Sequence, residues 1–529
     1  MHSLDGSEKK PTAPLSSDEE TQAPAALGTV TELHDLTVLG YKPELQRNRS
    51  MFTLLFQSLA IAAIPYGFGG PLISAIYGGG QLPMFVGWVV VLIVDECVAL
   101  SLGEFASRYP TSAGPYYWSF QLASPKFRTG LSFITGWAWL IGNWTITLSV
   151  NFGFASLIAA TVALYHPEWT PTSWQLLLIF YAICLITFFI VAYGNKVLPM
   201  VDTICAAFTA ISILITLICL SSKASVGRNS VKDTLARTIP PKMTAYITNR
   251  LLAGLHVSLD CREPVAPGCV LTTNRFSAIG MITSMAEECG DPTTKLPKAI
   301  SLCVPVGGIA GLFFILPICA TMPPLEDILN APVQQALPYI FGVVMDSPGG
   351  GLGLTFLVLI ITLFCSISIT VAASRCTWAF ARDNAIPLAR LWSKVDTRHG
   401  TPIWALTLVL LGLIYLGSSS AFLAFVSVGV IALAVSYGIP ISISLFHRRR
   451  DVNYARWTMG RTLGWIVNII ALLWIMFEVV LFSMPTVLPV TEGTMNYAIV
   501  VFFGFMAISA VWYAIHARKG KIPTSRGFH

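Results

Sequence analysis

Asp95 and Glu96 stand side by side in the middle of one apolar stretch, and Glu478 stands alone in another. A carboxylate in apolar surroundings is costly. It therefore binds a cation, holds a proton or pairs with a neighbour. Adjacent helical residues point about 100° apart, so Asp95 and Glu96 do not readily share one partner. Both are candidates for coupling to a proton or another cation. A structural hydrogen bond to a neighbouring helix is the alternative, and Glu478 reads as structural.

The run Pro65-Tyr66-Gly67-Phe68-Gly69-Gly70-Pro71 sets two prolines and three glycines inside an apolar segment. Proline removes a helical donor and glycine weakens a helix, so a continuous helix is not expected here. Within a bilayer, unwound backbone survives only where it is buried in protein or lines a cavity. Its freed amides and carbonyls, with the half-helix dipole ends, suit a polar or charged ligand. A plain proline kink is the other reading. Phe276-Ser277-Ala278-Ile279-Gly280-Met281-Ile282-Thr283-Ser284-Met285-Ala286-Glu287-Glu288 starts apolar and ends on paired acids, then reaches Asp291-Pro292 and Leu296-Pro297-Lys298. It reads as the second half of another broken helix. Broken helices at matching places in two halves of a chain are the best sequence pointer to a transporter's binding site.

Glu104 and Arg108 are four residues apart, so as helical neighbours they are expected to pair as a gate at an inner mouth. The aromatics, glycine and prolines that follow, through Trp118, suggest a re-entrant segment or an interfacial belt. Trp137 and Trp144 share a helix face, with Asn143 and Thr145 beside the second. They either line a cavity, which makes Trp144 a candidate substrate contact, or simply pack. No HExxH, GxSxG, Walker A or GxGxxG motif occurs, so neither an enzyme nor a cofactor is expected. The cysteines lie mostly in apolar stretches without a CxxC pair, so no metal site is expected.

The elements that must hold these residues follow from composition. The chain has 529 residues, of which 54% are hydrophobic and only 11% charged. An ordinary soluble protein carries about 25% charged residues. That balance excludes a soluble globular enzyme, a disordered scaffold and a nucleic-acid binder. It fits an all-α integral membrane protein in a lipid bilayer. Apolar runs fall at about 51–77, 83–106, 129–163, 173–193, 198–221, 299–322, 351–380, 402–418, 420–446, 462–484 and 495–517.

Lysine and arginine set the topology, because these charges resist translocation. They gather in the N-terminal tail, after the second and fourth runs, before 299, after 380, at 448–461 and in the C-terminal tail. The loops near 78–82, 164–172, 323–350 and 485–494 have none. Both termini then lie in the cytoplasm, which requires an even number of crossings. A sixth crossing must be hidden in 222–298, giving twelve. Residues 1–50 read as a disordered cytoplasmic tail, 51–517 as the transmembrane domain and 518–529 as a cytoplasmic tail.

The segments Ala99–Trp118 and Phe276–Glu288, with Arg382-Asp383, Pro387 and Thr494-Met495-Asn496-Tyr497, resemble the fungal amino acid/choline/GABA permeases of the amino acid–polyamine–organocation superfamily. The likeness covers roughly residues 30–520, and Ala62–Gly80 is most similar to the choline-permease branch. The resemblance implies an inverted five-plus-five repeat with two further helices, the first and sixth helices being discontinuous. It implies a substrate held by the unwound backbone of Tyr66, Gly67, Phe68, Gly69 and Gly70 and of Ser277, Ala278, Ile279 and Gly280. The expected function is secondary transport of a small nitrogenous solute such as choline, an amino acid, GABA or a polyamine, by alternating access. A co-transported proton and a plasma-membrane location, with the vacuolar membrane as alternative, go with it.

The resemblance fails over residues 237–275, which are polar and include Arg250, His256, Asp260, Arg262, Glu263 and Arg275. A central charge costs ~2.5–3.5 kcal/mol to insert. The segment reads as frame-shifted or mis-spliced, so a non-transporting or sensor-type homologue is the alternative function.

Overall fold

In the computed structural model the described residues are 39, 41–42, 44–69, 72, 81–166, 168–229, 279–324, 327–328, 335–396, 398–412, 419–484 and 495–515. The chain divides into a small unit, Met1–Pro43 with Arg526–His529, and a large one, Glu44–Ser525. Almost all of the small unit lies outside the described residues, as do residues 237–275 and the C-terminal tail. The helices of the described residues all belong to the large unit.

Among the described residues, ten helices are long and apolar enough to cross a bilayer. The first crossing is made of α1 (Met51–Ala62) and α2 (Ile64–Gly69). Then come α3 (Gln81–Arg108), the short α4 (Pro115–Leu122), α5 (Arg128–Tyr165), α6 (Ser173–Tyr193) and α7 (Leu198–Lys223). A 3₁₀ segment (Ile279–Glu288) leads into α8 (Pro292–Ala320). The rest is α9 (Ala336–Met345), α10 (Pro348–Arg382), α11 (Ile403–Gly412), α12 (Ser419–Phe446), α13 (Arg461–Leu481) and α14 (Ala498–Ile515). Among the described residues, the 3₁₀ segment is what represents the expected sixth span, and α11 the expected 402–418 span.

Among the described residues, the most deeply buried long helices are α5, α10 and α12. Helix α5 packs on α10 and on α12, and α3 packs on α8 and α13. Outer faces stay apolar: Ile93, Ile218, Val500 and Phe446 are all at least 63% exposed. An apolar exterior over this many helices suits lipid rather than water, and the chain is a multi-pass membrane protein.

Two segments differ from expectation. Residues 323–350 contain a helix, α9, where a loop was expected. It is too short to span, but it buries Leu337, Ile340, Phe341 and Val344, and it packs against α10. Residues Tyr66 to Gly69 are helical, not unwound. The interruption comes earlier, at Ala63, whose φ of 38° and ψ of 56° are left-handed. Pro65 has no N–H for the Ile61 carbonyl, which accepts from Cys365 Sγ at 3.2 Å instead, while the Gly67 amide resumes the ladder on the Ala63 carbonyl at 2.7 Å. Gly69 has no room for a β-carbon because the Leu337 side chain fills that space. Its glycine therefore serves close packing as well as flexibility.

Candidate functional site

The 3₁₀ segment is the centre of the polar interior. All its residues are buried, from Ile279 to Glu288. A β-carbon on Gly280 would run into the ring and hydroxyl of Tyr437 from α12. The Tyr437 ring meets the Trp139 ring of α5, with centroids 5.7 Å apart. One helical turn on, Asn143 donates its Nδ2 to the Trp139 carbonyl at 2.7 Å, leaving its Oδ1 without a partner. The Trp139 indole N–H is also buried without a partner, and the Tyr437 hydroxyl lies against the Gly280 backbone. Buried polar atoms are nearly always satisfied, so the two orphans on α5, beside a tyrosine that reaches Gly280, mark a place for a polar ligand or water.

Of the residues expected here, Tyr66 is half-buried and packs by Ala63, Ile361 and Cys365, its hydroxyl 3.4 Å from the Val150 carbonyl of α5. Phe68 is fully buried and packs edge-on against Phe314 of α8, so it is core. Gly67 and Gly69 lie in α2, and Ile279 and Gly280 in the 3₁₀ segment. Gly70, Ser277 and Ala278 lie outside the described residues. Trp144 is not among this group. Its N–H donates to Thr377 Oγ1 of α10 at 2.8 Å, and its ring abuts Gly412. Trp137 packs on Phe380 of the same helix. The two tryptophans do share a face, and that face meets α10.

Below the 3₁₀ segment lies a buried set of charges. Glu288 accepts from Arg49 at 2.8 Å and from Arg375 at 2.9 Å. Arg49 also bridges to Asp202 of α7 at 3.0 Å and donates to Gln57 at 2.7 Å. Arg375 donates to Asn195 at 2.7 Å. Ser368 donates to Asp202 at 3.0 Å. The neighbouring Glu287 takes both terminal nitrogens of Arg382 at 2.9 Å and the Ser112 amide at 3.1 Å. Two arginines and two carboxylates in the first set cancel, which lets the group be buried at all. Backbone pairing adds to it: the Arg49 amide donates to the Glu288 carbonyl at 3.0 Å. The entry to α1 is thus tied to α7, the 3₁₀ segment and α10.

The expected Glu104–Arg108 pair does not form. Glu104 faces inward and is held by Arg449 at 2.8 Å, with the Met459 amide at 2.8 Å and the Thr458 hydroxyl at 3.0 Å. Arg108 is exposed and lies over the rings of Tyr109 and Tyr454. The i,i+4 spacing permits a pair, but burial of Glu104 selected a partner that the chain brings from far away. Arg449 reaches it because residues 448 and 449 both have φ of 55°, which turns the chain back after α12.

Asp95 accepts from the Trp474 indole of α13 at 2.7 Å, while its Oδ2 is buried and unpartnered. Glu96, pointing elsewhere, is half-buried, also with an unpartnered oxygen. The same interface carries Ser101 to Asn468 at 2.8 Å.

The family model described as amino acid permease matches residues 50–505. The chain belongs to the amino acid permease family. It is 28% identical to a choline transporter of Saccharomyces cerevisiae over 98% of this chain and 88% of that one. It is 29% identical to amino-acid permease BAT1 of Arabidopsis thaliana, over 91% and 94%. It is 26% identical to a polyamine transporter of Saccharomyces cerevisiae, over 89% and 77%. The permease is a transporter and not an enzyme.

Several residues that build the permease interior escaped sequence reasoning. Trp139 and Tyr437 look like ordinary core aromatics in sequence. Asp202 was legible, as an acid inside the 198–221 apolar run. Arg49 and Arg375 counted only as topology charges, because their partners are 239 and 87 residues away from them at Glu288.

Proposed function

We propose that this permease is a secondary transporter of small nitrogenous solutes, such as choline, amino acids, GABA or polyamines, working by alternating access. The observation that carries the reading is the set of orphaned polar atoms and aromatic faces around Gly280, in a chain whose family match spans 50–505. Trp139 and Tyr437 offer faces to an ammonium group, and Asn143 Oδ1 offers an acceptor. The names of the relatives favour the same solute class.

The twelve-span inverted repeat is supported by the packing. On that scheme α3 and α8 are equivalent crossings, as are α5 and α10, and each pair is in contact. The α5–α12 contact is matched by α10–α7, and α5–α6 by α10–α11. A pseudo-two-fold axis relates each of these pairs. With both termini cytoplasmic, the Arg49–Glu288–Arg375–Asp202 group closes the cytoplasmic mouth, and the Glu104–Arg449 pair fastens α3 nearby. Transport then requires the first group to part. Asp95 and Glu96 remain the candidates for proton coupling, and the plasma membrane is the proposed location.

The test is uptake by vesicles holding the full chain, using labelled choline, GABA, basic amino acids and polyamines at two pH values. Saturable uptake of at least one is expected. No uptake of any above empty vesicles overturns the reading. That result would favour the non-transporting or sensor-type alternative, which rests on the polar composition of residues 237–275.

A further inference from the structure

Arg375 uses its three side-chain nitrogens on three partners. Nε donates to Glu288 at 2.9 Å, Nη1 to the Ser374 hydroxyl at 3.0 Å and Nη2 to Asn195 Oδ1 at 2.7 Å. Asn195 lies in the turn between α6 and α7 and is 4% exposed. Its Nδ2 reaches the turn between α10 and α11, donating to the Gly400 carbonyl at 3.0 Å and to the His399 carbonyl at 3.4 Å. An asparagine amide has one acceptor oxygen and two N–H donors, so both of its ends are in use. An aspartate here would set a carboxylate against two carbonyls, and an alanine would serve neither side.

The turn that Asn195 grips is built from its own hydrogen bonds. The Asp396 amide donates to the Thr401 carbonyl at 2.9 Å, and the Gly400 amide to the Asp396 carbonyl at 2.8 Å. Gly400 has a φ of 65°, which favours glycine. The Thr401 hydroxyl fastens the turn to the Ala192 carbonyl of α6 at 3.0 Å. His399 Nδ1 meets Asp396 Oδ2 at 2.5 Å, and both side chains are about one-third exposed.

We propose that Asn195 is a positioning residue for Arg375 in the closed cytoplasmic mouth, and that protonation of His399 tightens its hold. The meaning for gating rests on the mouth proposed above. A charged donor strengthens the bond to Asp396, and so stiffens the turn whose carbonyls hold Asn195. A neutral ring keeps that bond only in the tautomer with its proton on Nδ1, and then without the charge. The His399 hydrogen bond, then the Arg398 amide, hold the Asp396 carboxyl below the usual carboxylate range, so the acceptor stays ionised. Histidine ordinarily changes charge near about pH 6.5. The added hold is therefore fully present below that range and is lost as pH rises through it.

The groups facing His399 come from three segments. Its own turn brings Asp396 and Arg398. Helix α6 brings the Tyr193 ring, edge-on at 5.3 Å, and exposed Lys196 follows Asn195. The segment before α1 brings Gln46 to Gly400, with Glu44 and Arg47 close to Gln46 in sequence.

The test uses the purified full chain in lipid vesicles, with no transported solute. A membrane-impermeant maleimide applied from the Lys/Arg-rich side reports the mouth through buried Cys289, read by mass spectrometry. Rates are taken for the wild type and H399Q from about pH 5.5 to about 7.5. Their ratio at each pH cancels the ionisation of the thiol itself. H399Q should label about two- to fivefold faster than the wild type at the acid end, the range an exposed ion pair supports, and the ratio should fall towards one at the alkaline end. D396N should follow H399Q. A ratio that is the same at every pH overturns the role of His399. The comparison is then repeated in an N195A background, or in N195S should alanine prevent folding. There the ratio should be flat with pH. A ratio that still falls with pH in that background overturns the route through Asn195. Neither arm depends on uptake, so a chain that passes both and carries no solute fails the transport reading alone.

Discussion

Replacing Glu288 by glutamine is the sharpest test of the charged group under the 3₁₀ segment. Glu288 serves Arg49 and Arg375 at once, at 2.8 and 2.9 Å. At an effective dielectric of about 20, a contact near 3 Å carries roughly 5–6 kcal/mol of attraction. Most of that repays the desolvation of burying the ions, and glutamine keeps one acceptor. What remains is the cost of a buried charge left unmatched, about 3–5 kcal/mol. Asp202 serves one arginine and one serine, so D202N should cost about half as much. At 1.4 kcal/mol per tenfold, E288Q shifts the closed-to-open equilibrium by roughly 100- to 4,000-fold. Cys289, next in the chain and fully buried, reports it. A membrane-impermeant maleimide applied from the Lys/Arg-rich side should label Cys289 slowly in the wild type. Labelling should be faster in D202N and faster still in E288Q, with Tm in detergent falling in the same order. Equal labelling and equal Tm in all three proteins would refute the reasoning.

R449A should lower Tm strongly, by the equivalent of about 3–5 kcal/mol, because it strands Glu104, while R108A should cost under about 1 kcal/mol. The comparison is a thermal melt of each variant in the same detergent. G280A should cost about 1–3 kcal/mol by driving a methyl group into Tyr437, and should reduce solute uptake more than surface expression. Burial works against ionisation of Asp291, yet hydrogen bonds from Thr294 and Thr293 and the Arg456 and Lys295 charges hold its carboxyl below the usual range. A lowered folded pKa stabilises above the unfolded value, near about 3.9, and the benefit is lost as pH falls through the folded value. The Tm gap between wild type and D291N should therefore be constant above about pH 4 and close below it.

The spans themselves were legible because a bilayer demands long apolar helices, and ten of the eleven apolar runs, all but 402–418, coincide with them among the described residues. The special character of the first crossing was legible too, since Pro65, Gly67 and Gly69 conflict with a regular helix. The place of the break was not. Helix interruption depends on which backbone bond is given up, and packing of α2 against α8 and α10 moved it to Ala63. The Glu104–Arg108 spacing suggested a local pair, whereas burial of Glu104 and the left-handed turn at Arg448 and Arg449 supplied another partner. Helix α9 was hidden because ten residues are too few to register as a span.

The sequence by itself determined the class of this protein, its membrane-spanning segments and the residues that do not belong in lipid. Those properties are local, because each follows from the transfer cost of a short stretch of chain. Only the tertiary structure decided the partners. Glu288 between Arg49 and Arg375, Tyr437 on Gly280, and Trp474 on Asp95 are meetings of distant residues. Pairing energy falls off within a few ångströms, and no spacing along the chain encodes which helix faces come that close.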